Sequence, residues 1–249
     1  MRSLLQAPEP SLPAVAGLVA VVIAVVAAMI ALVGVAAGRD GHDTLESGRP
    51  SGLQRRFTVA ILAWLAATGA LAASGVLSHF EVRPPPMMPL ALISFALTTV
   101  LGLSRFGAML ARGIPLAALI GLQAFRAPLE LILYQLSLDG VLPVQMTFDG
   151  MNKDIATGIV AALLGIWACF AEPPRILVRL WNLMGVVLLA IIVTIAITSM
   201  PGPLRVFPND PPNTIVATFP FVWIPTVLVQ AAWLGHLLVF RRLRLARRS

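Results

Sequence analysis

The chain has 249 residues, of which 58% are hydrophobic and 12% charged, and its mean hydropathy is +0.89. About 45–50% apolar is ordinary for a soluble domain, so the composition excludes a soluble fold and predicts an all-α, polytopic transmembrane bundle formed as one domain over residues 1–249. The net charge of +7 rests on arginine, because Lys153 is the only lysine; with no basic patch interleaved with aromatics outside the apolar segments, nucleic acid is excluded as a partner and the lipid bilayer is the expected one. One lysine beside 17 arginines also points to a GC-rich bacterial genome, and so to the bacterial plasma membrane.

A bilayer crossing takes about 20 apolar residues, within a range of about 17–25. Seven stretches qualify, near 12–37, 57–78, 87–103, 114–136, 155–171, 178–199 and 218–240. The first holds about 26 mostly apolar residues against about 7–15 in a signal-peptide core, and arginines follow it, so it reads as a retained span. Gly34 and Gly38 give it a weak G-x-x-x-G. The loop 38–56, with glycine, serine and charge, is expected to be mobile. Pro84, Pro85, Pro86 and Pro89 stiffen the approach to the third segment, which is short, as is the fifth.

The fourth segment carries charge. Arg126 and Glu130 stand four residues apart in LQAFRAPLELILYQLS. A charge at the centre of a membrane helix costs about 2.5–3.5 kcal/mol on insertion scales. At 100° per residue, Gln123, Arg126, Glu130, Tyr134 and Ser137 fall within an arc of about 80°, one polar stripe on an otherwise apolar helix. The spacing predicts an Arg126–Glu130 ion pair. Pro128 between them is expected to free the carbonyl of Ala124 and kink the helix. Two readings stand: a structural salt bridge, or the lining of a solute, proton or lipid-headgroup site.

The stripe leads into DGVLPVQMTFDGMNKD, residues 139–154, dense in hydrogen-bonding groups: Asp139, Gln145, Thr147, Asp149, Asn152 and Asp154. Asn152 and Asp154 are expected to cap the fifth segment. A binding site continuous with the stripe, including Asp149, is the alternative. Gly158, Ala162, Gly165 and Cys169 share one face of the fifth segment and predict close helix packing, with Cys169 as a small buried hydrophobe. The sixth segment offers Asn182. In the seventh, Gln230 is placed at mid-span as the best partner for the stripe, whereas His236 and Trp223 are placed nearer the ends. Pro201, Pro203, Pro208, Pro211 and Pro212 make the preceding loop a folded lid.

Orientation follows from charge. With the N-terminus outside, cytoplasmic segments hold Arg39, Arg49, Arg55, Arg56, Arg105, Arg112, Arg175, Arg179 and five tail arginines; the outer ones hold Arg2, Arg83, Lys153 and Arg205. That bias predicts N-out, C-in, and the tail RRLRLARRS suits anionic headgroups.

From AFRAPLEL through MTFDGMNKDI, residues 124–155, the chain resembles a group of uncharacterised bacterial multi-pass membrane proteins with an F-R-x-x-x-E-L helix followed by an M-T-F-x-G-x-N-x-D-I loop. The resemblance implies no known activity, but it joins helix four and the loop into one unit.

No cofactor and no metal site is expected. The last segment has no lysine for a retinal Schiff base; His42, His79 and His236 are too scattered for paired haem ligation; one cysteine makes no thiolate cluster. G-x-S-x-G, H-E-x-x-H and Walker A sequences are missing. A small-solute or proton-coupled carrier using Glu130 and Arg126 is favoured for want of a catalytic motif. The alternatives are an intramembrane enzyme on a lipid-linked substrate, with Arg126 on phosphate and an outer-loop aspartate as base, and a non-catalytic assembly or sensory subunit.

Overall fold

The computed structural model describes residues 8–39 and 51–245. His42, Arg2, Arg49, most of the loop 38–56 and the tail beyond Leu245 lie outside the described residues. The described chain is helical: α1 (Leu12–Arg39), α2 (Gly52–Ala73), α3 (Met87–Leu103), α4 (Arg105–Gly113), α5 (Leu116–Gly121), α6 (Arg126–Leu138), α7 (Ile155–Phe170), α8 (Arg175–Thr198) and α9 (Val229–Leu245).

Five helical stretches are long and apolar enough to cross a membrane: Leu12–Arg39, Gly52–Ala73, Leu116–Leu138, Arg175–Thr198 and Ile224–Leu245. The fourth expected segment is therefore one stretch of 23 residues built from α5, a tightened turn at Leu122–Phe125, and α6. α3 has 17 residues and meets α4 at a 65° bend. Ser104 makes that bend: it is extended, ends α3, and its Oγ accepts the Gly107 N–H at 3.3 Å to start α4. α7 has only 16 residues.

Loop contacts define the two ends of the bundle. At one, Ser11 N–H donates to Asp139 at 2.8 Å, and Gln145 donates to Ser199 at 2.9 Å. At the other, Arg39 donates to the Gly113 carbonyl at 3.0 Å, while Arg241 reaches Gly102 and Ser104 and Arg242 reaches Arg112. These arginines satisfy carbonyls left open at helix C-termini, where a cation is favoured.

Two boundaries differ from the sequence expectation. α2 begins at Gly52 because Ser51 caps it, its Oγ accepting the Gln54 N–H at 3.0 Å. The last helical stretch runs over Ile224–Leu245 rather than 218–240. Pro220 and Pro225 supply no N–H, so a regular ladder forms only after a π-turn at Ile224–Leu228. The residues before it fold inward, with Ile215, Val216, Ala217, Phe221 and Val222 all buried.

The expected kink at Pro128 is also displaced. The tightened turn lies just before Arg126, which places Pro128 in the first turn of α6, where a missing N–H costs little. Three apolar clusters fill the described bundle, the smallest of them around Ala72, Leu77, Met87, Ala217 and Val222; the two larger ones hold the helices together. One joins α1, α6 and the π-turn through Leu18, Val22, Leu136 and Leu228; the other joins α4, α5, α8 and α9 through Leu110, Leu119, Val178 and Val239.

At the loop end, burial raises the pKa of Asp139, but hydrogen bonds from Ser11 and Gln135 outweigh this and hold it below the ordinary aspartate value. A depressed folded pKa contributes stability that is complete above the unfolded pKa of about 3.9 and is lost as pH falls through the folded value. The difference in melting temperature between wild type and Asp139→Asn is thus expected to hold steady from about pH 7 to about pH 5 and to shrink below about pH 4. A detergent-solubilised thermal-unfolding series checks this.

Candidate functional site: a buried Arg126 cluster

Arg126 opens α6 at mid-depth and is 1% exposed. Its Nε donates to Asp154 Oδ2 at 2.6 Å, and its Nη2 lies 2.5 Å from Asp154 Oδ1, a forked carboxylate contact. Nη1 stands 2.7 Å from His236 Nε2, and Nη2 also donates to the Gly185 carbonyl at 3.4 Å. Every guanidinium nitrogen therefore meets a protein acceptor on α7's N-terminus, α8 or α9.

The His236 tautomer follows from this network. The guanidinium can only donate, so Nε2 accepts, and Nδ1–H donates to Asn182 Oδ1 at 2.8 Å. Asn182 Nδ2 returns a bond to the His236 carbonyl at 3.2 Å. His236 and Asn182 are both 0% exposed. Gly185 makes room for the ring: a Cβ there would sit 2.4 Å from His236 Cε1.

Glu130 belongs to a second, adjoining group. Asn152 Nδ2 lies 2.7 Å from each of its carboxylate oxygens and donates to the Met146 carbonyl at 3.1 Å. Asn152 Oδ1 accepts the Asp154 N–H at 3.0 Å. Two backbone groups thus fix which face of the amide Glu130 sees.

The expected Arg126–Glu130 ion pair is not what forms. Arg126 turns away from its own helix to a carboxylate 28 residues on, and Glu130 turns to Asn152. An aspartate at a neighbouring helix terminus can present both oxygens to the guanidinium fork, which accounts for the bidentate contact. The capping expectation for Asp154 changes with it: Asp154 stands at the N-cap of α7, but its side chain makes no cap bond and serves Arg126 instead.

The geometry explains the short α7. Asn152 and Asp154 meet residues two and three turns below the end of α6, at about 1.5 Å per residue, so the loop dips into the bundle before α7 starts. Thr147, Asn152 and Asp154 are buried. Gly158 permits the close approach, since a Cβ there would lie 2.5 Å from the Ala127 nitrogen.

The remaining expected residues lie apart. Gln123 is buried and donates to the Ala232 carbonyl at 3.3 Å. Tyr134 is half-buried, its ring 4.8 Å from that of Phe148, and Asp149 is exposed on the loop. Gln230, expected to face the stripe, instead donates to the Pro225 carbonyl at 2.9 Å and lines a groove elsewhere. Cys169, expected to be buried, is exposed, because its position at the end of α7 falls beyond the packed glycines. The shifted boundary of the last helix accounts for the exchange of Gln230 and His236. In a span of 218–240 Gln230 is central and His236 terminal; in Ile224–Leu245 His236 is central.

The cavities along α1 and α5, under α1, between α2 and α9, and between α8 and α9 are all lined by other side chains than Arg126, Glu130, Asp154 and His236.

Comparison with known protein families places most of the cluster-bearing region in one described family. The model of the family described as Domain of unknown function (DUF8737) covers residues 84–244, which takes in every residue of this cluster. No curated protein and no solved structure matches the chain. With well over half its length inside that match, the chain belongs to the DUF8737 family, a family of uncharacterised domains to which this apolar, multi-helix membrane protein contributes a buried arginine centre.

Proposed function

We propose that the protein is a non-catalytic multi-pass subunit of the bacterial plasma membrane in which the Arg126 cluster locks α6, α7, α8 and α9 into one arrangement. The observation that carries this reading is saturation: each Arg126 nitrogen is held by Asp154, His236 or Gly185, which leaves no nitrogen of the guanidinium unengaged for a solute or a phosphate. The same saturation disfavours an intramembrane enzyme. Arg126 would have to release Asp154 to hold phosphate, and the other two loop aspartates lie away from the cluster, Asp139 held by Ser11 and Gln135 and Asp149 exposed.

The seven-crossing plan, N-out and C-in, belongs to this proposal. The bent α3–α4 pair and α7 each lie in sequence between two long helices, so counting them as crossings returns each loop to alternate sides. Arg39, Arg105, Arg112, Arg175, Arg179, Arg241, Arg242 and Arg244 then share the cytoplasmic side.

A proton-coupled carrier is the second reading, and Glu130 is the observation that favours it. Both of its oxygens are held by one amide, and among the described residues no cation stands within 4.0 Å of it. An ionisable side chain buried in a membrane helix with no cation beside it is the kind of group proton carriers are built around. Proteoliposomes with an internal pH dye separate the two readings. The subunit reading expects proton flux equal to empty liposomes under an imposed gradient, for wild type and Glu130→Gln alike. Flux in wild type that Glu130→Gln abolishes would establish the carrier and remove the subunit reading.

A further inference from the structure

The groove between α2 and the α3–α9 face is independent of the Arg126 cluster. It encloses about 380 Å³, within the range of about 300–1,000 Å³ usual for ligand pockets. It exists because the first half of α2, though tied to α1 by the Gln54 bond to the Ile30 carbonyl at 3.2 Å, buries no residue fully: the buried residues of α2 are Thr68, Gly69 and Ala72, all near its C-terminal end. Trp64 closes the deep end, its Nε1 donating to the Thr226 carbonyl at 3.0 Å. Arg56 stands at the mouth, exposed, with no acceptor among the described residues. The otherwise apolar wall is broken by Ser94, Thr98, Thr226 and Gln230. Gln230 is 9% exposed, and with its Nε2 bound to the Pro225 carbonyl its Oε1 is left without a partner.

We propose that this groove holds one acyl chain of an anionic glycerophospholipid. The phosphate sits on Arg56, and the chain runs inward to Trp64. Two features select that chemistry. The unpaired guanidinium calls for an anion. The apolar walls call for a chain; eight residues of helix between Arg56 and Trp64, at 1.5 Å each, give it a reach of about 12 Å. The Phe57 and Phe106 rings, 6.2 Å apart, flank the entrance.

The test uses the full-length protein in vesicles containing phosphatidylglycerol or phosphatidylcholine dibrominated at mid-chain, with tryptophan fluorescence as readout. The Trp64 contribution is the difference between wild type and Trp64→Phe. It is expected to be quenched with about five-fold higher apparent affinity by brominated phosphatidylglycerol than by the choline lipid, the equivalent of about 1 kcal/mol for one arginine at an anionic headgroup. Arg56→Gln is expected to remove that preference, and Ala60→Phe, which fills the groove, to remove quenching by both lipids at the Trp64 component. Equal quenching by the two lipids in wild type means ordinary boundary lipid and overturns the proposal, as does a preference that survives Arg56→Gln. Thermal unfolding of each variant in detergent shows whether the fold is kept. If Arg56→Gln is destabilised, the same quenching by the two brominated lipids, measured on wild type at 0.15 M and 1 M salt, decides instead: a preference unchanged by salt overturns the assignment.

Discussion

Asp154→Ala is expected to lower stability by about 3–5 kcal/mol, the usual cost of leaving one member of a buried ion pair without its partner. Asp154 holds two sides of the Arg126 fork and is itself 5% exposed, so water cannot readily replace it. Removing the arginine as well changes the outcome. Arg126→Met combined with Asp154→Leu leaves no stranded charge, and buried pairs replaced by apolar residues of similar volume are often neutral or better. The double variant is expected to recover most of the loss, with His236 still held by Asn182. Unfolding midpoints of the two single variants and the double variant form a thermodynamic cycle. Additive losses, with no recovery in the double variant, would show that the cluster is not acting as one unit and would count against the subunit reading.

Gly185→Ala is expected to be nearly as damaging, although it adds one methyl group. Its Cβ would lie 2.4 Å from His236 Cε1 and 2.8 Å from Thr157 Cγ2. The ring must move, and its bond to Arg126 moves with it. Overpacking of about 1–3 kcal/mol then adds to a buried donor left unpaired at about 1–3 kcal/mol. Gly121→Ala serves as the control. Nothing lies within 4 Å of a Cβ built at Gly121, so the helix-propensity gain of alanine over glycine, about 1 kcal/mol, is expected to appear as stabilisation. Comparable melting temperatures for the two variants would show that His236 has room to move and that the Arg126–His236 contact is dispensable.

The legible part of the site was its chemistry. Arg126, Glu130, Asn152 and Asp154 are costly groups in or beside apolar segments, and the sequence alone marks them for that reason. Their pairing was not legible. An i,i+4 spacing makes Arg126 and Glu130 neighbours on a helix surface, but it carries no information about a carboxylate that arrives from another helix. His236 and Asn182 were each visible as polar residues in apolar segments. What hid His236 was a boundary: moving the last helix from 218–240 to Ile224–Leu245 carries it from an end to the centre, and Pro220 and Pro225 were the available signal. Gln230 moved the other way for the same reason, out of the cluster and into the wall of the groove.

The sequence by itself determined that this is a helical membrane protein, through hydropathy and segment length, and which buried groups would need partners, through the cost of desolvating them. Only the tertiary structure decided the partners. That choice depends on how far the 139–154 loop dips between helices and on Gly158 and Gly185 letting backbones and the His236 ring come close enough to bond, distances that no one-dimensional pattern encodes.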